Sequence, residues 1–374
     1  MYLEFIKEIT DKFILDIKDS SFAPAGNNGP YNEDDLPTRN TAHWLVTLKV
    51  LCQYYDKNEY RDVAKRFAEY LLNENKYGKN KLVKIRNMKN PTPQNDHTNG
   101  IIGIAWVIEG LISAAYLFKD ERYYERAVEL FKAEIFDEDL HMWKIVDIND
   151  KCIAIDYVYN HQLWFAAVGG MILDYKYDSE IDKQIFKFLS YWKYHLIFQP
   201  SGLLFHQINF KFTPISIIKK KIKAVCCDLG ITRSLRNQCT LEKGYQLFDL
   251  YGFALLYNRY KKCNVYSSKQ FKKAMKYGTD RSNLEKLYIS DTNFNKYAFA
   301  YNSPAFEYPF IAKTIYGNVD KQLMIDLMDI QKSLCYSDET KKFDRNNADF
   351  RTLTARIYEL ARFYELKNEE EKLR

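Results

Sequence analysis

Two aspartates, three histidines and a set of asparagines recur at a regular interval along this chain, and their types suit proton transfer on a sugar. The stretch 91–111, PTPQNDHTNGIIGIAWVIEGL, sets Asn95, Asp96, His97, Thr98 and Asn99 directly before a long apolar run. Sixty residues beyond Asp96, Asp156 stands a few positions ahead of a second such run, YNHQLWFAA. Two carboxylates brought together can divide general-acid and general-base work, as hydrolysis of a glycosidic bond requires. Each can equally cap its helix, because a short side-chain oxygen satisfies a free N–H of the first turn, or pair with Arg39 or Arg351. His43, His97 and His161 offer a second chemistry. Imidazoles on opposite sides of a pocket can remove and return a proton on opposite faces of a sugar, which is what an epimerase does. Their spacing is not a metal motif, so neither a metal nor a cofactor is expected. Asp96 and Asp156 are the candidate catalytic pair; Arg39, His43, Trp44, His97, Asn99, Asn160, His161, Tyr301 and Arg351 are the candidate sugar-binding residues. Trp106 and Trp164, at helical spacing, are better read as core.

Such residues need elements that bring them together. Asn40 in RNTAHWL, Asn99 and Asn160 lie 59 and 61 residues apart, each opening an apolar segment of helical length. YNSPAFEYPF at 301–310, KGYQLFDLYGFALL at 243–256 and NNADFRTLTARIYEL at 346–360 supply three further copies. A fixed period with one helical unit per copy marks an architecture in which stacked neighbours bury a common core.

Amphipathic partners follow most copies. Residues 41–55 with 59–73, 99–118 with 121–135, 160–175 with 180–196, 244–260 with 268–277, and 302–316 with 320–334 form five pairs. A last inner helix, 349–366, has no partner downstream, and the amphipathic stretch 2–18 can take that place. Twelve helices in this order predict an all-α fold: an (α/α)6 toroid, or six-hairpin barrel, closed by its own N-terminal helix. One domain spans 1–374, with an insertion at about 199–243 that can serve as a lid or partner surface. Short strands are expected at 81–85, 203–209 and as a hairpin over 141–155; 20–37 is a loop. With all inner helices pointing the same way, their N-terminal ends surround one mouth and favour a ligand carrying negative charge.

Composition narrows the function. Of 374 residues, 47% are hydrophobic, and 30 Tyr and 5 Trp provide side chains with an apolar body and a polar tip. The formal charge of +6 is spread thinly apart from Lys219, Lys220, Lys221 and Lys223, so nucleic acid is not expected as a partner. Seven cysteines, an odd number without metal spacing, argue against a disulfide framework. The N-terminus lacks the apolar core of a signal sequence, so a cytoplasmic location without membrane insertion is expected. The oligomeric state is left open.

The motifs NDHTNG and IDYVYNHQLWFAA resemble the two aspartate motifs of unsaturated glucuronyl and rhamnogalacturonyl hydrolases, which are six-hairpin enzymes. The resemblance covers residues 95–167, with Tyr157-Val158-Tyr159-Asn160-His161 standing where that family usually carries a small or Met-containing run. It implies that Asp156 is the general acid/base on a C4=C5 unsaturated uronide, that Asp96 assists, and that His97 or His161 holds the sugar. The chain is also similar in plan to N-acylglucosamine 2-epimerases, which implies chemistry by the histidines. It is similar as well to uncharacterised toroid proteins of polysaccharide and glycan biosynthesis clusters, which implies a non-catalytic glycan-binding alternative.

Overall fold

The outer helices of this chain are amphipathic and the inner ones are apolar nearly all round, and that difference sorts them into two layers. In Asn58–Asn73, Tyr60, Val63, Ala64, Phe67 and Leu71 form one buried stripe. In Gly100–Phe118, every residue from Gly100 to Ala115 is buried. This helix is long and apolar enough to cross a membrane by composition. Here its neighbours are other helices of the toroid.

The computed structural model describes residues 2–73, 76–92, 96–205, 207–208 and 213–372, so Asn95 and the end of the strand expected at 203–209 lie outside the described residues. Six inner helices follow one another around an axis: Thr38–Tyr54, Gly100–Phe118, Tyr159–Tyr175, Arg233–Tyr260, Pro304–Tyr316 and a sixth divided into Phe350–Ala355 and Tyr358–Lys372. Each packs on the next, and the sixth packs on the first. The outer layer consists of Asn58–Asn73, Glu121–Ala133, Ser179–Ser190, Lys269–Gly278, Lys321–Cys335 and the N-terminal Leu3–Ile17. The last of these closes the ring. The Tyr2 N–H donates to the Tyr364 hydroxyl at 2.7 Å, and Phe13 stacks on Trp44 at 3.8 Å between centroids. The chain is an (α/α)6 toroid.

Short antiparallel hairpins decorate the loops, Lys76–Tyr77 with Leu82–Val83 and Met142–Val146 with Cys152–Ile155 among them. Two inner helices differ from expectation. The fourth begins at Arg233, not at 244, and runs for 28 residues. Its first turns are largely exposed, with Leu235 and Cys239 packing against Leu203 and Cys227. The expected insertion therefore holds the second strand of the hairpin Ile197–Phe198/Leu204–Phe205, the helix Pro214–Asp228 and the start of the fourth inner helix. The sixth is broken at Arg356 and Ile357, where the Ile357 N–H turns back to the Thr354 carbonyl and the Glu359 N–H to that of Arg356. Such a tightened turn inside a helix commonly marks a functional position.

Candidate active site

The N-terminal ends of the inner helices surround a cavity of about 240 Å³. Its walls come from all six repeats: Arg39 from the first, Asn99, Ile102 and Trp106 from the second, Asn160 and His161 from the third, Tyr245 and Phe248 from the fourth, Tyr301 and Asn302 from the fifth, and Arg356 from the sixth. At the other end of the toroid the helix C-termini enclose a wider basin of about 920 Å³, where Arg259 and Lys49 are paired with Asp174 and Glu365. The buried pair Arg362–Glu109, at 2.6 Å, lies at that end.

One wall of the cavity is built by both aspartates, from behind. Asn99 sits in the left-handed region at φ +60 and gives no side-chain cap to the helix it precedes. The free N–H groups of that helix are satisfied by carboxylates instead. Asp96 Oδ1 accepts from the Gly100 N–H at 2.9 Å and Oδ2 from the Thr98 hydroxyl at 2.6 Å. Asp156, from the next repeat, accepts from the Ile101 N–H at 3.2 Å through Oδ2 and from the Val158 N–H at 3.1 Å through Oδ1. The same Oδ2 lies 2.9 Å from His161 Nδ1. Asp96 and Asp156 are 3% and 2% exposed and neither lines the cavity. His161 does line it, with its side chain 22% exposed. With Nδ1 held by a carboxylate, Nε2 is the ring nitrogen left to the cavity. This is the arrangement that sets an imidazole's tautomer and direction for proton transfer. Beside it, the Asn160 Oδ1 is buried and has no hydrogen-bond partner among the described residues. A third carboxyl, Glu134, is buried near the two aspartates. Burial pushes it well above the ordinary carboxylate range, and the negative charges of Asp96 and Asp156 add to the effect although the Val146 N–H donates to it.

The facing wall is cationic and aromatic. Arg39 donates to Asn28 Oδ1 at 2.8 Å and to the Tyr301 hydroxyl at 3.4 Å, and its guanidinium lies 4.0 Å over the Trp106 ring. Its nearest carboxylate, Asp35, is 3.7 Å away; burial raises that group to about 6 against the pull of Arg39 and Arg86. Arg356, at the break in the sixth helix, donates to Asn302 Oδ1 at 2.5 Å, Glu307 at 2.8 Å and Glu359 at 2.7 Å. The loop before the first inner helix straps the mouth. Asp349 Oδ2 accepts from the Asn27 and Gly29 N–H groups at 2.9 and 3.1 Å, and the Tyr31 hydroxyl meets that of Tyr245 at 2.8 Å.

Four expected ligand-binding residues lie elsewhere. His97 is turned away: its Nδ1 is 3.1 Å from the Arg86 carbonyl and its carbonyl accepts from the Ile85 N–H at 2.8 Å, which ties the loop to the short strand. His43 is buried behind Arg39, accepts its Nε–H at 3.3 Å and stacks on Tyr358 at 4.4 Å. Burial, helped by Arg39, holds it well below the usual histidine range and keeps it neutral. Trp44 points outward onto Phe13, about 100° around the helix from His43. Arg351 is exposed and donates to the Ala25 carbonyl at 3.2 Å outside the cavity.

No family model matches the chain. Over 353 residues it is 30% identical to archaeal glycosylation protein Q of Haloferax volcanii, an alignment covering 91% of each chain. The chain belongs to the archaeal glycosylation protein Q family. Its fold is shared more widely. Cellobiose 2-epimerase from Bacillus thermoamylovorans matches it with a TM-score of 0.62 at 10% identity, over 97% of this chain and 99% of that one. A GH76 α-mannanase of Bacteroides thetaiotaomicron matches with a TM-score of 0.57 at 13% identity, over 100% of this chain and 97% of that one. Neither is an unsaturated uronyl hydrolase, so the expected resemblance holds at the level of the (α/α)6 fold.

In this member of the glycosylation protein Q family, sequence reasoning passed over several wall residues. Asn28, Tyr31 and Arg86 come from segments read as connections, and Trp106, in the core as expected at 4% exposure, also lines the cavity. Arg356 had a signal, since it is a lone cation in the apolar register of TLTARIYEL.

Proposed function

We propose that this chain is a carbohydrate-active enzyme of glycoprotein glycan assembly, with His161 as the proton-transferring group and Asp156 as its positioning residue. One observation carries the reading: the Asp156–His161 pair at 2.9 Å, in which the imidazole alone opens onto the cavity. The relative's name, a glycosylation protein, supports a sugar as substrate. The reaction best suited to this wall is removal and return of a proton at a carbon next to a sugar carbonyl, as in an isomerase or epimerase. Arg39 faces mostly neutral partners and would stabilise the oxyanion that forms, and it suits a uronic acid or similar acidic sugar. The paired-histidine version loses its second base, because His97 is outside the cavity and His43 is held behind Arg39.

A second reading keeps the carboxylates: hydrolysis at a uronic-acid-containing glycan by Asp96 and Asp156. Glu134 favours it, as a buried carboxyl near both aspartates that burial pushes well above the ordinary range. Deuterium uptake into uronic acids and hexoses in D2O, followed by NMR, separates the two readings. Uptake by the native protein that disappears in His161→Ala is the expected result. Loss of the conjugated absorbance of unsaturated uronyl disaccharides without uptake would instead select the hydrolase. Neither signal, with sugar binding retained, would overturn both and leave a glycan-binding protein.

A further inference from the structure

The helix Pro214–Asp228 carries an apolar face that no described residue covers. Ile215, Ile218, Ile222, Val225, Leu229 and Ile231 are 40% to 71% exposed, six of the chain's exposed large hydrophobic residues within one short segment. At about 100° per residue the first five fall inside an arc of roughly 80°. The opposite side is the one that packs. Ala224 and Cys227 are buried, and the Lys220 amine turns inward to the Gln207 carbonyl, beside the Phe205 ring. Lys221 borders the apolar arc on one side and Lys219 on the other; Lys223 lies farther round, with its amine 5.4 Å from the Phe205 ring, and all three are exposed. Asp228 is the one acidic residue of the helix.

Large exposed apolar faces mark interaction sites, and lysines flanking one on both sides are the pattern of a helix lying in a lipid interface. A second copy of the chain would set lysines against lysines, with no carboxylate in the face to answer them. We propose that this helix docks the protein on the surface of an anionic phospholipid bilayer, with the isoleucine stripe among the upper acyl chains and the three lysines among the headgroups. This is peripheral attachment and does not depend on the chemistry assigned to His161. It orients the cavity as well: Gln207 is bridged to Val158, which lines the cavity next to His161, so docking holds the mouth near the lipid surface.

Co-sedimentation of the full chain with phosphatidylglycerol vesicles, against phosphatidylcholine vesicles as control, tests the proposal. Binding to the anionic vesicles is expected, weakened by salt. It should fall at least about tenfold in Lys219→Glu/Lys221→Glu/Lys223→Glu, since each basic residue near an anionic surface contributes to attachment. Ile218→Asp/Ile222→Asp should lose binding to the same extent, with thermal unfolding unchanged because these side chains face solvent. A chain that stays in the supernatant with both vesicles, or binds equally well in both variants, overturns it. So does a dimer in sedimentation velocity that Ile218→Asp dissociates, without vesicle binding, which would make a second copy the occupant.

Discussion

Asp96 and Asp156 look equivalent by type and spacing, yet the hydrogen bonds around them assign different work. Asp156→Asn puts an amide where a carboxylate fixes the His161 tautomer. The expected result is a fall in kcat of about 10²–10⁴ with KM nearly unchanged, measured by steady-state exchange kinetics. Asp96→Ala removes the acceptors of Thr98 and Gly100 but leaves the His161 pair in place. It should lower stability by about 1–3 kcal/mol in urea unfolding, with the kcat of the folded protein held within a few-fold. Equal kcat losses in both variants would support the paired-aspartate hydrolase. The motif points to both carboxylates at this mouth. It could not show that one of them is backed by an imidazole, because that contact crosses from a loop onto the following helix.

At the scale of elements, the turn into the second inner helix determines whether the wall exists. Asn99 and Gly100 both have positive φ, +60 and +61. A Cβ on Gly100 would lie 2.3 Å from Asp156 Oδ2 and 3.3 Å from His161 Nδ1. Gly100→Ala therefore combines a left-handed backbone cost of about 1–2 kcal/mol with direct displacement of the pair. The expected outcome is a lowered Tm by calorimetry together with a kcat loss as large as that of Asp156→Asn. A normal kcat in Gly100→Ala would show that the pair tolerates displacement and would count against its role. The strap works in the same way. Its Tyr31 meets Tyr245 while Asp349, from the last repeat, holds the backbone of Asn27 and Gly29.

Across the whole molecule, ionisable groups are buried around the ring axis, and Glu134 gives the clearest dependence on pH. Its carboxyl holds its proton to higher pH in the fold than in the unfolded chain, where the ordinary value is 4.5. Its contribution to stability is thus fully present below that value and is lost as pH rises through the raised one. Glu134→Gln keeps an acceptor for the Val146 N–H and removes the titration. Its Tm should approach that of the native protein below the ordinary value of 4.5 and exceed it increasingly as pH rises above that. A Tm difference independent of pH would exclude a raised Glu134. At the axis itself, Arg356 between Glu307 and Glu359 and Arg362 on Glu109 join the fifth, sixth and second inner helices. Removing one partner of such a buried pair strands the other charge, at a cost of about 3–5 kcal/mol.

The added helix Pro214–Asp228 and the break in the sixth were not legible in the sequence alone, whereas the twelve-position ring, its alternation between inner and outer layers, the closing role of the N-terminal segment and the mouth where polar residues gather were. Each depends on information carried within one repeat: a period near sixty residues, an apolar stripe, a polar loop before an apolar run. Only the tertiary structure decided which of those polar residues face the cavity. Asp156 caps the helix of the preceding repeat, Arg356 takes the place expected of Arg351 because the sixth helix breaks there, and Trp106 enters the wall while Trp44 faces the outer layer. These outcomes depend on how neighbouring repeats are rotated against one another, and a turn of about 100° per residue is enough to exchange a ligand-facing side chain for a packed one.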